Sequence, residues 1–431
     1  MRGGSGLRRY VRRFAVIAAA GALIVPNGPA ASARPKSTAI AERGDVGTGI
    51  PPLPVVERSG ALLTARRTFR WSDLDASDAW AKSAIDYVGK SHDWMRDFAP
   101  KADGTVPFKP DTTETRKYFA RAAVKAFAPR AVVDPSITFP DLDPTQTFYK
   151  WANIAVQKGW MHRLGDGRFA PDHAVTMVTV HRVLVLALGL KATATRIDRL
   201  HTHDGTPFDT PPNLGTTTLG MRLGLRYPSS DAAHDVTPHM PLPRAQVAYS
   251  LYRAKTQASW VVPWLRDQYS NVVLPNLGQT RRAIVQWGLG YVGYPYVWAG
   301  EWGFDTPEPS SLGSQPIAGF DCSGLAWWLL RRDDGGSWNI TPPRPYRAWP
   351  LPQRTSAEMA KFGIVSWKHL MPGDLAFYDG DDNGTVDHVD VYVGNGFALD
   401  SSTSVGTSLM YVAEGWYRDH FVHGRRLIPS T

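Results

Sequence analysis

The sequence predicts an α+β chain in two parts: an all-α N-terminal region of three repeats, and a C-terminal domain that mixes helices with a sheet. Three observations carry this. One order of motifs recurs three times between residues 69 and 255. After a short amphipathic helix at 281–291, β-branched alternating runs and Gly/Asn/Pro turns replace helical periodicity. The only cysteine among 431 residues opens an apolar, breaker-free run that reads as a buried helix. A chain of this length exceeds one ordinary core, so two or more domains are expected.

The first 68 residues lie outside these domains. Arg2, Arg8, Arg9, Arg12 and Arg13 form a basic region, and 14–25 is apolar but too short to span a bilayer. Ala31-Ser32-Ala33 is a small-residue cleavage site, so 1–33 reads as a secretory signal peptide. Arg12-Arg13-Phe14 is compatible with twin-arginine export. Residues 34–68, with Pro51-Pro52-Leu53-Pro54, read as a linker. No later segment is long and apolar enough to anchor the chain, so the mature protein is expected outside the membrane. The net charge of +9 implies affinity for polyanions. Zinc spacings, a basic helix and RNA-binding signatures are all missing, which argues against nucleic acid as the partner.

Asp73, Asp141 and Asp209 stand at equal 68-residue intervals and anchor the repeat. In the first copy (about 69–130), Trp71-Ser72-Asp73-Leu74-Asp75 precedes an amphipathic stretch at 80–88. The loop 103–110 and Thr113-Glu114-Thr115-Arg116 follow, leading a second helix. The second copy (137–190) repeats this with Phe139-Pro140-Asp141-Leu142-Asp143, the loop 165–171 and a helix over 178–188. The third (206–255) keeps Phe208-Asp209, a middle stretch at 219–225 and Leu242-Pro243-Arg244 leading 247–252. Each unit is helix, loop, helix and cannot bury its own apolar face, whereas three together can. The order resembles the S-layer homology (SLH) module, whose three copies bind an anionic secondary wall polymer. The resemblance implies that Arg116 and Arg244 face the polymer. Copy two has Ala174-Val175-Thr176-Met177 there and lacks the arginine. The plainer reading is a helical repeat that only packs.

Residues 256–278, with Trp260, Pro263, Trp264 and Pro275, read as a semi-rigid connector. In the domain 279–431, Asp321 is a plausible N-cap for the run 325–330, which places Cys322 in the first helical turn. Unpaired N–H groups and the helix dipole at that point favour a thiolate. An inert, buried cysteine is the alternative. Downstream, 371–378 reads as a turn into a strand and 386–393 as an alternating strand. Gly394-Asn395-Gly396 is a hairpin turn. A hairpin centred on Asn395 returns Asp400 to within a residue or two of His388. Thiol, imidazole and acid in that arrangement make a nucleophilic triad, Cys322–His388–Asp400.

The same stretches resemble NlpC-type cell-wall cysteine peptidases. The matching blocks are Tyr296-Val297-Trp298-Ala299-Gly300, Gly319-Phe320-Asp321-Cys322-Ser323-Gly324, Pro352-Gln353-Arg354-Thr355-Ser356, Pro372-Gly373-Asp374-Leu375 and 388–394. The family is papain-like α+β and cuts peptidoglycan stem peptides, typically after D-γ-glutamate. The resemblance implies Cys322 as nucleophile and His388 as base, with Asp400 where the family often has His. It also implies Tyr296, Asp321 and Ser323 beside the substrate. The chain departs from the pattern in a long 301–318 insertion, in Ala299 before Gly300, and in the acidic third residue.

Asp379-Gly380-Asp381-Asp382-Asn383-Gly384, with Asp390 at the twelfth place, resembles a calcium loop. Strands flank it rather than helices, and Asp-Asn-Gly also suits a solvated turn. No metal and no cofactor are therefore expected. The resulting expectation is a secreted, wall-associated thiol peptidase acting on peptidoglycan peptides. The alternatives are an acyltransferase using the same thioester, or a non-catalytic structural wall protein.

Overall fold

Asp73 and Asp141 perform the same task in the chain. Asp73 accepts the N–H groups of Phe108 and Lys109, both at 2.8 Å. Asp141 accepts those of Phe169 and Ala170, at 2.9 and 2.7 Å. Lys109 and Ala170 both sit at positive φ, 60° and 55°, so each carboxylate pins a loop residue in a conformation that side chains disfavour. The computed structural model describes residues 69–228, 234–307, 315, 317–332 and 342–429. The expected signal peptide and linker lie outside these residues, as does much of the 301–318 insertion.

The N-terminal helices are α1 (Lys82–Asp86, continued by a π turn Tyr87–Ser91), α2 (Arg116–Phe127), α3 (Tyr149–Gln157), α4 (Met177–Ala187), α5 (Lys191–Asp198), α6 (Leu214–Arg222) and α7 (Arg244–Gln268). The extended segments before α2, α4 and α7 meet in a closed ring of three backbone bonds. Glu114 donates to Leu242 (2.8 Å), Leu242 to Val175 (2.9 Å) and Val175 to Glu114 (2.9 Å).

Around this ring the motif arginines clamp neighbouring loops. Arg116 donates Nε–H to the Phe169 carbonyl (2.7 Å) with its guanidinium 4.7 Å from the Phe169 ring. Arg244 treats Phe108 the same way, at 2.8 Å and 5.0 Å. This corrects the expectation for Arg244. It is 1% exposed, and its remaining N–H groups meet Glu114 (2.7 Å) and Asp97 (2.5 Å), which leaves no face for a polymer. Arg116 stays half-buried.

The cyclic order leaves Phe208 without an arginine from Met177. Arg282 supplies one from the C-terminal domain. Its guanidinium lies 4.3 Å from the Phe208 ring and donates to the Pro207 carbonyl. Gln286 meanwhile exchanges hydrogen bonds with the Asp209 backbone. Met177 faces the C-terminal domain, since a side chain at Gly293 (φ +103°) would meet Met177, Thr217 and Pro238. Every residue of α6 is buried. This stretch packs against the C-terminal part. Arg282→Ala should therefore lower unfolding stability by about 1–2 kcal/mol. A urea titration would show this as a lower midpoint with unchanged slope.

The boundary expected at 255 falls inside a helix. α7 runs unbroken through it because Gln257, Val261, Val262 and Leu265 continue the buried stripe, despite Pro263. The connector ends in strand β2 (Val273–Leu274), parallel to β1 (His201–Thr202). No helix among the described residues is long and apolar enough to cross a membrane.

The C-terminal part mixes helix and sheet. It comprises α8 (Gln279–Leu289), a short pair β3 (Glu301–Trp302) and β4 (Gly319–Phe320), α9 (Cys322–Leu330) and α10 (Ser356–Ala360). The strands β5 (Leu375–Tyr378), β6 (His388–Gly394), β7 (Phe397–Ser402), β8 (Gly406–Tyr411) and β9 (Phe421–Arg425) follow, with α11 (Gly415–Asp419) before the last. They form one antiparallel sheet in the order β8-β7-β6-β5-β9. The apolar helix α9 packs on β6 and β7.

Candidate active site

The site lies where the start of α9 meets one face of the sheet. Asp321 caps α9 by accepting the Gly324 N–H, which leaves Cys322 as the first helical residue, partly exposed. Gly324 has to be glycine, because a Cβ there would lie 1.8 Å from the Gly300 carbonyl oxygen. The Tyr296–Gly300 block thereby lies directly on the helix start, held by Asp321 N–H to the Gly300 carbonyl (3.0 Å).

The β6–β7 hairpin turns on Asn395 and Gly396, at φ 49° and 82°, the two positive values that a type I′ turn needs. It pairs Val391 with Leu399, so Asp390 and Asp400 come next opposite each other. His388 shares their face because side chains alternate along a strand. His388 Nε2 lies 2.8 Å from Asp400 Oδ1 and 3.1 Å from Asp390 Oδ1. The Cys322 thiol lies close enough to the same imidazole to help raise its pKa. Tyr378, Trp416 and Tyr417 ring the imidazole at 5.8, 6.4 and 6.1 Å between centroids. Burial works against a charged imidazole here. The facing Asp390 and Asp400 carboxyl groups outweigh it and hold His388 well above its ordinary pKa.

Tyr296 stands beside the thiol. Burial first, then the Cys322 and Asp321 charges, push its pKa well above the usual range, so its hydroxyl remains a donor. Asp321 and Ser323 belong to a polar cluster organised by Arg354, a residue the sequence analysis quoted in a motif but gave no role. Arg354 holds Asp321 through two parallel bonds of 3.0 Å, Ser323 Oγ at 2.7 Å and Glu301 Oε2 at 2.8 Å. Such a fork fixes the cluster as a unit. Glu301 and Arg354 are the two site residues that sequence reasoning left without a function. Glu301 and Arg354 lie 53 positions apart, and only the fold joins them.

The calcium-like loop is built as a turn. Both Asp379 carboxylate oxygens accept backbone N–H groups, from Asn383 (3.1 Å) and Gly384 (2.7 Å). Asp387 accepts the Gly380 N–H at 3.0 Å. Asp390, the twelfth position, faces His388 instead. The donor atoms of His388, Asp390 and Asp400 lie within 4.8 Å of one another. An ion on Nε2, however, would displace the N–H that both carboxylates accept.

Residues 293–426 match the model of the NlpC/P60 family. The bifunctional muramidase/DL-endopeptidase CwlT of Bacillus subtilis is 31% identical over 145 residues, covering 33% of this chain and 36% of that protein. The murein DD-endopeptidase MepH of Escherichia coli is 31% identical over 145 residues, covering 32% and 44%. A gamma-D-glutamyl-L-lysine dipeptidyl-peptidase of Bacillus cereus is 28% identical over 149 residues, covering 34% and 36%. The chain thus spans less than half the length of each.

Proposed function

Residues 293–426 being an NlpC/P60 domain of papain-like, mixed helix-and-sheet build, we propose that the chain is a cysteine endopeptidase of peptidoglycan stem peptides. It is secreted, associates with the cell wall and cuts after D-γ-glutamate. The observation that carries this is His388 bonded to the buried Asp400 at 2.8 Å, with the lone thiol, Cys322, near the same imidazole.

The Cys322 thiolate attacks the amide carbonyl. Backbone N–H groups at the start of α9, with the Tyr296 hydroxyl beside them, stabilise the oxyanion. The imidazolium of His388 gives its proton to the leaving amine, and a thioester remains on Sγ. Neutral His388 then takes a proton from water, whose oxygen displaces the thiol. The sum is one amide and one water giving one carboxylic acid and one amine. Asp400 holds the ring in place and offsets its charge during attack. The polar cluster of Asp321, Ser323, Arg354 and Glu301 lies two residues or fewer from the nucleophile or bonded to those that do, and orients the substrate. Supporting this reading are the relatives named above, a muramidase/DL-endopeptidase, a murein DD-endopeptidase and a gamma-D-glutamyl-L-lysine dipeptidyl-peptidase. Incubating the full chain with isolated sacculi tests it. Released peptides ending in a new carboxylate support the reading, and intact stem peptides would sink it.

Wall association through an anionic polymer is part of the same proposal. The +9 charge and the half-buried Arg116 support it, while Arg244 is committed inside the protein. The full chain should sediment with sacculi, and Arg116→Ala should weaken this by several-fold. Equal sedimentation with polymer-stripped sacculi would contradict it.

A further inference from the structure

Two buried carboxylates face one imidazole N–H, where a triad needs one. We propose that Asp390 is a positioning residue of this site, which carries the single proton shared by the Asp390–Asp400 pair and so presents His388 with one negative charge near neutral pH. The inference rests on the peptidase reading above.

The geometry demands a proton. Asp390 and Asp400 have no exposed side-chain surface, and both reach His388 Nε2, at 3.1 and 2.8 Å. They face each other across β6 and β7, where like charges directly opposite repel. Buried carboxylates sharing a site cannot both ionise freely. Their second oxygens decide which one is neutral. Asp400 Oδ2 accepts the Ser402 hydroxyl at 2.9 Å. Asp390 Oδ2 is buried with no hydrogen-bond partner among the described residues. The anion therefore settles on Asp400 and the proton on Asp390.

The other groups around the pair do not reverse this. Tyr378 on β5, whose hydroxyl lies near Asp390 without closing a well-formed hydrogen bond to Oδ2, and Tyr417 on α11 have their pKa values raised far above the usual range, foremost by burial, and stay neutral. Cys322 on α9 is the thiol itself, with Tyr296 beyond it. Arg222 on α6 acts on Tyr417. Glu358 on α10 is used in capping its own helix. Burial, then the Asp400 charge, raises Asp390 to about 7.

The consequence has a definite sign. Below that value Asp390 is neutral and His388 feels one acid. Above it Asp390 ionises, a second anion appears at Nε2, and the imidazolium is held more tightly. The base that must accept a proton from water then becomes less available. Asp390→Asn fixes the neutral form.

The test is the rate at which iodoacetamide alkylates Cys322 in the full chain, followed from pH 5 to 10. A thiolate–imidazolium pair gives two steps, the upper one reporting proton loss from His388. Removing the second anion should move that upper step down by at least about one pH unit, a tenfold change in the equilibrium. At pH 5.5 the variant and wild type should agree within about threefold. Asp390→Ser, which is neutral and smaller, should shift the step the same way. An upper step that stays put in both variants overturns the proposal while leaving the thiolate–imidazolium pair intact. Rates that already differ tenfold at pH 5.5 show Asp390 ionised throughout and also overturn it. A single step near that of a free thiol, about 8.5, removes the ion pair and overturns the peptidase reading together with this one.

Discussion

Cys322→Ala abolishes amide hydrolysis, with a loss on the order of 10⁵–10⁶ in kcat, the scale seen when a triad nucleophile is removed. The side chain is small and stands partly exposed at the start of α9, where Asp321 still caps the helix. The fold should therefore survive, with an unchanged urea midpoint and unchanged sedimentation with sacculi. Turnover within tenfold of wild type in the purified variant would end the thiol mechanism.

Asp400→Ala has the second-largest effect, a loss of about 10³ in kcat with a smaller change in KM. Losing the orienting acid of a triad can cost about 10⁴ when it traps the wrong tautomer. Here Asp390 remains at 3.1 Å from the same nitrogen and retains part of the orientation. Asp400→His, the residue common in the resembled family, should keep a larger share of activity than alanine. The two acids should also rank unequally. Asp400 has the shorter contact and the Ser402 donor, so its loss should exceed that of Asp390→Ala. A folded but inactive Asp390→Ala beside an active Asp400→Ala would reverse the assignment. Steady-state kinetics on a stem-peptide substrate measures both.

The pairing of His388 with Asp400 was legible because it depends on local rules. Asn395-Gly396 selects the tight turn, and strand alternation then fixes which residues share a face. Cys322 at a helix start was legible because an N-cap and an apolar run define α9 on their own. Asp73 and Asp141, 68 residues apart, pin loops in the same way, which the spacing alone did not reveal, whereas the Asp209 backbone meets Gln286 instead.

What stayed hidden depends on contacts far apart in the chain. Arg244 and Arg116 look alike in sequence, yet one is buried between Glu114 and Asp97 and the other is half-exposed. Arg282 lies in another domain from the phenylalanine it clamps. The run of α7 past 255 is not visible in the sequence, where Pro263 and the tryptophans suggest a connector, because burial of Val261, Val262 and Leu265 is what keeps the helix going. Asp390 reads in the sequence as the twelfth place of a calcium-like loop and as the acid two residues from His388. Its importance comes from an opposing strand that places a second acid across from it.

Hydrolysis through a Cys322 thioester is tested most directly by digesting stem-peptide substrate in water enriched in ¹⁸O and weighing the products. The account predicts that each newly formed carboxylate carries one ¹⁸O, that the released amine carries none, and that the Cys322→Ala protein yields neither product. Products formed without ¹⁸O in the presence of an added amine would instead make the chain an acyltransferase. Labelled products from the Cys322→Ala protein would contradict the cysteine mechanism outright.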